Sequence, residues 1–288
     1  MDNKDRYKLT KIAGILGIIF NIFLLIIKGI VGILSNSQAM IADSVNSAGD
    51  IFASLMTFIG NKIASSPSDK EHNFGHGKAE YIFSFIISIS MIIATIKLLI
   101  DSINSLIYSS IVVFSSNLII VCIITIVVKF FLYVYTYSLS KKMNNILLKA
   151  NMKDHRNDCI VTTFTLISIL FSLINIYWID GVVGIGISLW IGYTGLKIFI
   201  ESYNILMDIS LDEKTTDIIY DIINTYKDIK KVDKISSTPV GYQYITVITI
   251  YVDGNMSTFD SHELADSLEK SINGIDIIYN AIIHVNPL

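Results

Sequence analysis

The apolar positions of this chain come in long blocks up to about residue 207, then give way to short alternating runs. A helix that crosses a bilayer needs about 20 mostly apolar residues. Six segments satisfy that requirement: 9–34, 38–64, 79–101, 111–139, 147–176 and 180–206. The first is too long for the apolar core of a secretion signal and no small-residue cleavage site follows it, so it reads as a retained helix. An even number of crossings places both termini on one side. Lys and Arg choose that side. Lys4, Arg6, Lys8 and Lys11 lie before or at the start of the first block. Lys62, Lys70 and Lys78 bracket the loop after the second, and Lys141, Lys142 and Lys149 the loop after the fourth. The opposite loops, 35–37, 101–110 and 175–180, carry none. The pattern predicts a multi-pass protein of the cytoplasmic (plasma) membrane with both termini in the cytoplasm.

From Asp208 onward the pattern is that of a water-soluble unit, which divides the chain at 1–207 and 208–288. "DEKTTDIIYDIINTYK" has helical spacing. "VDKISSTPVG" and "YQYITVITIYVD" read as strands, rich in β-branched and aromatic residues and parted near Pro239–Gly241. "STFDSHELADSLEKSI" opens with a capping-box pattern and continues as a helix. "DIIYNAIIHVNP" closes as a strand. The order αββαβ predicts an open sheet with helices on one face. A domain of roughly 80 residues is small enough to gain from an oligomer interface.

Composition agrees with the pattern. The chain is 52% hydrophobic and only 16% charged, with a mean hydropathy of +0.58, against about 25% charge in soluble domains. The net charge of −3 offers no basic surface for nucleic acid. Cys122 and Cys159 lie in apolar stretches without metal-ligand spacing and read as small buried side chains.

Ionisable groups inside a span are costly, so each needs a reason. In "IADSVNSAGDIF", Asp43, Asn46 and Asp50 recur at intervals of three and four and share one helix face. In "NMKDHRNDCI", Asp154 and Asp158 stand at i, i+4. Facing Asn46 and Asp50 against Asp154 and Asp158 brings three carboxylates and an amide oxygen together. Anions so packed repel one another unless a cation or protons intervene. A divalent cation meets that need, and protons can replace it. Asp43 sits deeper on its stripe with no evident partner. His155 is rotated about 100° from Asp154 on a helix and is left out of the site. Lys97 reads as snorkelling to the outer surface, whereas Lys28 and Lys129 call for an acid or a carbonyl. The loop "SSPSDKEHNFGHGKAE" offers Asp69, His72 and His76, a chemistry suited to a second divalent site.

"ADSVNSAGDIFASL", "HNFGHGKAE" and "DHRND" together resemble the cation diffusion facilitators, homodimeric proton-coupled exporters of divalent transition metals. The resemblance covers nearly the whole chain. It implies six transmembrane helices followed by a cytoplasmic, metallochaperone-like αββαβ domain for dimerisation and regulation. It assigns the transport site to Asn46, Asp50, Asp154 and Asp158, and a loop site to Asp69, His72 and His76. It also implies a charge interlock at the dimer waist between Lys78 and Asp208. In zinc-binding relatives the tail holds a ligand cluster. Here His262 and His284 stand at such positions, with Asp233 as a third candidate, while Thr249 and Asn286 occupy places where ligands would be expected. Zinc-transporting members usually carry histidine where this chain has Asp154, and His or Asp where it has Asn46. An all-oxygen set suits harder ions such as Mn²⁺, whereas imidazole favours Zn²⁺. The pattern therefore resembles the manganese-exporting branch.

The expectation is a proton-coupled Mn²⁺ exporter, not an enzyme. It needs no cofactor beyond the transported ion and counter-transported protons, and it acts as a homodimer in the bilayer, with Asp43 a candidate for the proton path. The rivals are a Zn²⁺ or Fe²⁺ exporter of the same fold and a membrane-tethered metal sensor. The spans hold no HExxH, no Gly-x-Ser-x-Gly and no acyl-transfer constellation that would suggest an intramembrane enzyme.

Overall fold

The computed structural model describes residues 3–34, 38–108, 116–143, 145–172 and 178–288. Within them lie six long helices: α1 (Asn3–Leu34), α2 (Gln38–Ala64), α3 (Ala79–Tyr108), α4 (Ser116–Met143), α5 (Ile146–Ser172) and α6 (Trp178–Leu206). After them come α7 (Glu213–Asn224), β1 (Ile229–Val240), β2 (Gln243–Val252), α8 (Thr258–Asn273) and β3 (Ile278–Pro287). The chain separates into two compact units. One comprises Met1–Ser65 and Ala79–Tyr203, the other Ser66–Lys78 and Asn204–Leu288. The histidine-bearing loop between α2 and α3 thus belongs with the C-terminal unit.

The helical unit has its polarity reversed relative to a water-soluble bundle. Ile19, Ile26, Ile93, Val127, Phe130 and Leu189 are exposed, while Thr10, Asn21, Ser47, Ser54, Thr57, Ser84 and Thr136 are buried. Such an apolar outer surface suits lipid, in which polar groups must find partners within the protein. Among the described residues, three helices are long and apolar enough to cross a membrane: Asp5–Val31, Ala79–Asn104 and Ser116–Met143. Block length alone predicts six. Of the other long helices, α2 and α5 carry charged groups along their length. Asp43, Asn46 and Asp50 lie on α2, and Lys149, Lys153, Asp154, Arg156 and Asp158 crowd the first half of α5.

Small residues let α1 and α2 approach closely. A Cβ on Gly17 would lie 2.5 Å from Ser54 Oγ, and one on Gly14 would lie 3.2 Å from the Phe58 backbone. Asn21 Nδ2 donates to Ser54 Oγ (3.2 Å) across the same seam. At the other end, Arg6 of α1 donates to Glu80 of α3 (2.6 Å) and to the carbonyl of Met143 (3.2 Å). Asn145 Nδ2 donates to the second Glu80 oxygen (3.1 Å). This buried pair joins the start of α1, the start of α3 and the α4–α5 connection.

The C-terminal unit has the predicted order. Strand β2 pairs antiparallel with β1 and parallel with β3, which α8 makes possible by crossing between them. Alternate β2 residues, from Tyr244 to Val252, point inward and pack with Ile219 and Ile223 of α7 and Leu268 and Ile272 of α8. Both helices therefore cover one face. Asp212 caps α7 by accepting from the Thr215 N–H (3.0 Å). Ser257 accepts from the Asp260 N–H (3.1 Å), the N-cap half of the capping-box pattern read at the start of α8, while the Asp260 carboxylate accepts from the Ser257 hydroxyl (2.6 Å) rather than from its backbone N–H. Sequence reading starts β1 at Val232, but the strand begins three residues earlier, at Ile229.

Candidate metal centre

Helices α2, α4 and α5 build a charged centre inside the helical unit. Lys129, from α4, places its ammonium 2.7 Å from Asp50 Oδ2 and 2.5 Å from Asp158 Oδ2. Its side chain is 1% exposed, and those of Asp50 and Asp158 are 10% and 18% exposed. Two carboxylates from different helices thus converge on one nitrogen. Spacing places Asp154 one turn before Asp158, and the structure keeps them together. One ligand atom from each of Asp154, His155 and Asp158 lies within 4.8 Å of the others. Asp154 Oδ2 is buried and has no hydrogen-bond partner among the described residues. A cavity of about 260 Å³ is lined by Asp50, Asp154 and Asp158, with Met91 of α3 in its wall. Lys97 and Asp101 line the same cavity further along α3.

The side chains of Asp43 and Asn46 lie outside the described residues. Lys28, expected to seek an acid or a carbonyl, donates to Ser47 Oγ at 3.2 Å. Sequence reading sets His155 aside, yet the residue is fully buried beside Asp154, and neither ring nitrogen has a hydrogen-bond partner among the described residues. Asn157 also lines the cavity. Its oxygen accepts from Arg156 (3.1 Å), while its buried nitrogen lacks a partner among the described residues. Lys129 could be found in the sequence as a cation needing a partner, but nothing along the chain identifies Asp50 and Asp158 as that partner.

A second cluster lies on the loop in the C-terminal unit. Asp69 Oδ1 is 3.3 Å from His72 Nδ1, and Asp69 Oδ2 is 3.5 Å from His76 Nε2. The Asp69 carboxylate also accepts from the backbone N–H groups of His72 (2.6 Å) and Glu71 (2.9 Å). The His72 hydrogen bond holds its pKa below the usual carboxylate value. The loop is seated against the β1–β2 turn, where a Cβ on Gly77 would come 3.1 Å from the Gly241 Cα.

Lys78 Nζ donates to Asp208 Oδ1 at 2.7 Å within the same chain. Asp208 holds a left-handed backbone conformation, φ 57°, just past the end of α6, which Asp tolerates better than most residues. The three candidate tail ligands are not gathered into a cluster. His262 faces Asp266 (3.8 Å), Asp233 faces Lys231 (3.9 Å), and His284 is exposed on β3 opposite Thr249.

Comparison with known proteins adds an independent line. A family model described as the cation efflux transmembrane domain matches residues 14–207, and one described as the cytoplasmic domain of cation efflux proteins matches residues 211–288. An uncharacterized transporter of Methanocaldococcus jannaschii is 27% identical, covering 94% of this chain and 96% of its own length. A manganese efflux system protein of Bacillus subtilis is 25% identical, covering 98% of both chains. A magnetosome protein of Magnetospirillum gryphiswaldense is 28% identical, covering 92% of this chain and 84% of its own.

Proposed function

We infer that this chain, which belongs to the cation diffusion facilitator family, exports Mn²⁺ from the cytoplasm in exchange for protons. Membership makes it a membrane-embedded, dimer-forming transporter of divalent cations rather than an enzyme. The finer reading assigns the transport site to Asn46, Asp50, Asp154 and Asp158, in a domain of six crossings over 1–207. Both termini are cytoplasmic, and residues 208–288 clamp a homodimer in the plasma membrane. Lys78 and Asp208 form the waist interlock, and Asp69, His72 and His76 form a loop site that orders the cytoplasmic entrance or helps hold the dimer. The observation that carries this reading is the convergence of buried carboxylates from α2 and α5 on one cation, beside a cavity that Asp154 also lines. Carboxylate oxygens hold either a divalent ion or protons, and an exchange cycle needs both states. An oxygen-dominated site favours Mn²⁺, and the manganese efflux relative from B. subtilis points the same way.

One observation favours a second reading. The unpartnered imidazole of His155 lies beside Asp154 and Asp158, and a nitrogen donor there would shift preference toward Fe²⁺ or Zn²⁺. Uptake into inverted vesicles under an imposed pH gradient separates the two. Mn²⁺, Fe²⁺, Zn²⁺ and Cd²⁺ are compared in wild type and Asp154→Ala. Mn²⁺ flux should exceed the others, require the gradient, and fall at least tenfold in the variant. Zinc flux equal to or above that of manganese would retire the manganese assignment.

A further inference from the structure

The transport site has a resident cation of its own. Lys129 reaches from α4, which contributes no acid to the site, and its ammonium bonds one oxygen each of Asp50 and Asp158. The lysine is among the largest fully buried side chains of the described residues. Ionised carboxylates drawn out of water need a partner. An ammonium is a compact point charge with three donors, and two of them are spent on this pair. Asp154 is left differently: its Oδ2 is buried and unpartnered among the described residues. The centre is therefore divided into two carboxylates closed by a lysine and one standing open beside the cavity.

We propose that Lys129 is a tethered counter-cation that occupies the metal position between Asp50 and Asp158 and must be displaced from both for the transported ion to bind. This rests on the assignment of these acids as the transport site. A divalent ion bonded to the same two oxygens would press directly against the ammonium, so the two cannot share them. The ion carries twice the lysine's charge and gains Asp154 as well, which gives it the advantage. Three carboxylates and one ammonium leave a formal charge of minus two. With the displaced lysine kept nearby, a divalent ion neutralises the centre and a monovalent ion does not. The lysine also lowers net affinity, because each bound ion works against a competitor that cannot diffuse away. Its return to Asp50 and Asp158 hastens release.

The test measures Mn²⁺ binding, and in parallel Zn²⁺ binding, to the purified full-length protein in lipid nanodiscs at one fixed pH. Wild type is compared with Lys129→Met, Lys129→Arg and Asp154→Ala. Removing the competitor should tighten binding at least tenfold in Lys129→Met. Lys129→Arg keeps the charge and should stay within threefold of wild type in affinity. Unchanged or weaker binding by a monodisperse Lys129→Met protein would overturn the proposal. If that variant is unstable without metal, adding the ion must raise its melting temperature more than that of wild type, because the ion takes over the neutralising role. Absence of such rescue also overturns it. Ion binding that survives Asp154→Ala unchanged, or no binding of either ion to wild type, would instead strike the assignment of the site, on which the lysine's role depends.

Discussion

At the scale of single residues, position along a helix set His155 aside because its Cβ points away from that of Asp154. The angle describes where a side chain starts, not where a ring ends. An imidazole reaches several ångströms, and α1 packs so closely, through Gly17, that the ring is confined near the acids. A Cβ built on Gly17 would lie 3.9 Å from His155 Nε2. The all-oxygen reading makes a direct prediction. His155→Gln should change Mn²⁺ flux by less than threefold in the vesicle assay and leave the ion order as in wild type. A selective loss of Zn²⁺ or Fe²⁺ flux, tenfold or more, would show that the imidazole binds metal. The lysine is the complementary case. Its presence in the span is plain in the sequence, but Lys129 is separated from Asp50 by 79 residues and from Asp158 by 29, and only packing brings them together.

At the scale of elements, the soluble tail was the most legible part of the chain. Its strands alternate, its helices carry their own caps, and local rules suffice to locate both. The Asp212 cap allows a quantitative check. Loss of an N-cap side chain costs about 1 kcal/mol, so Asp212→Ala should speed hydrogen exchange at the Thr215 amide about fivefold. Hydrogen bonds from Thr215, the backbone N–H foremost, hold the Asp212 pKa below its ordinary value. The cap's contribution is therefore complete above the unfolded pKa, near 3.9, and is lost as pH falls through the lower folded value. Exchange in wild type and variant should converge there. A difference that persists in strong acid would mean the carboxylate is not the source. The long helices were legible in another way. Their existence followed from block length, even in α2 and α5, which carry charged groups along their length.

At the scale of the whole molecule, the helical unit depends on polar contacts between segments far apart in sequence. The Arg6–Glu80 pair is the strongest case, since both side chains are buried, at 6% and 2% exposure. Removing one partner of a buried pair leaves an uncompensated charge and costs about 3–5 kcal/mol. Glu80→Ala should therefore lower the thermal transition of the detergent-solubilised protein far more than removal of an exposed pair such as Lys78–Asp208, worth about 0–1 kcal/mol. Equal shifts in Glu80→Ala and Asp208→Asn would show that the Arg6–Glu80 pair is not structural. Asn is the appropriate replacement at position 208 because it too tolerates the left-handed backbone found there.

The sequence by itself determined the division into an apolar and a soluble part, the αββαβ order of the tail, and the helical spacing that pairs Asp154 with Asp158. These follow from local physics: the length of an apolar block, the alternation of a half-buried strand, and the pitch of a helix. Tertiary structure alone decided that Lys129 closes Asp50 onto Asp158, that His155 joins the acids, and that the Asp69 loop folds with the C-terminal unit. Each depends on contacts between distant segments, and in a low-dielectric interior an ammonium bonds whichever carboxylates packing brings within reach.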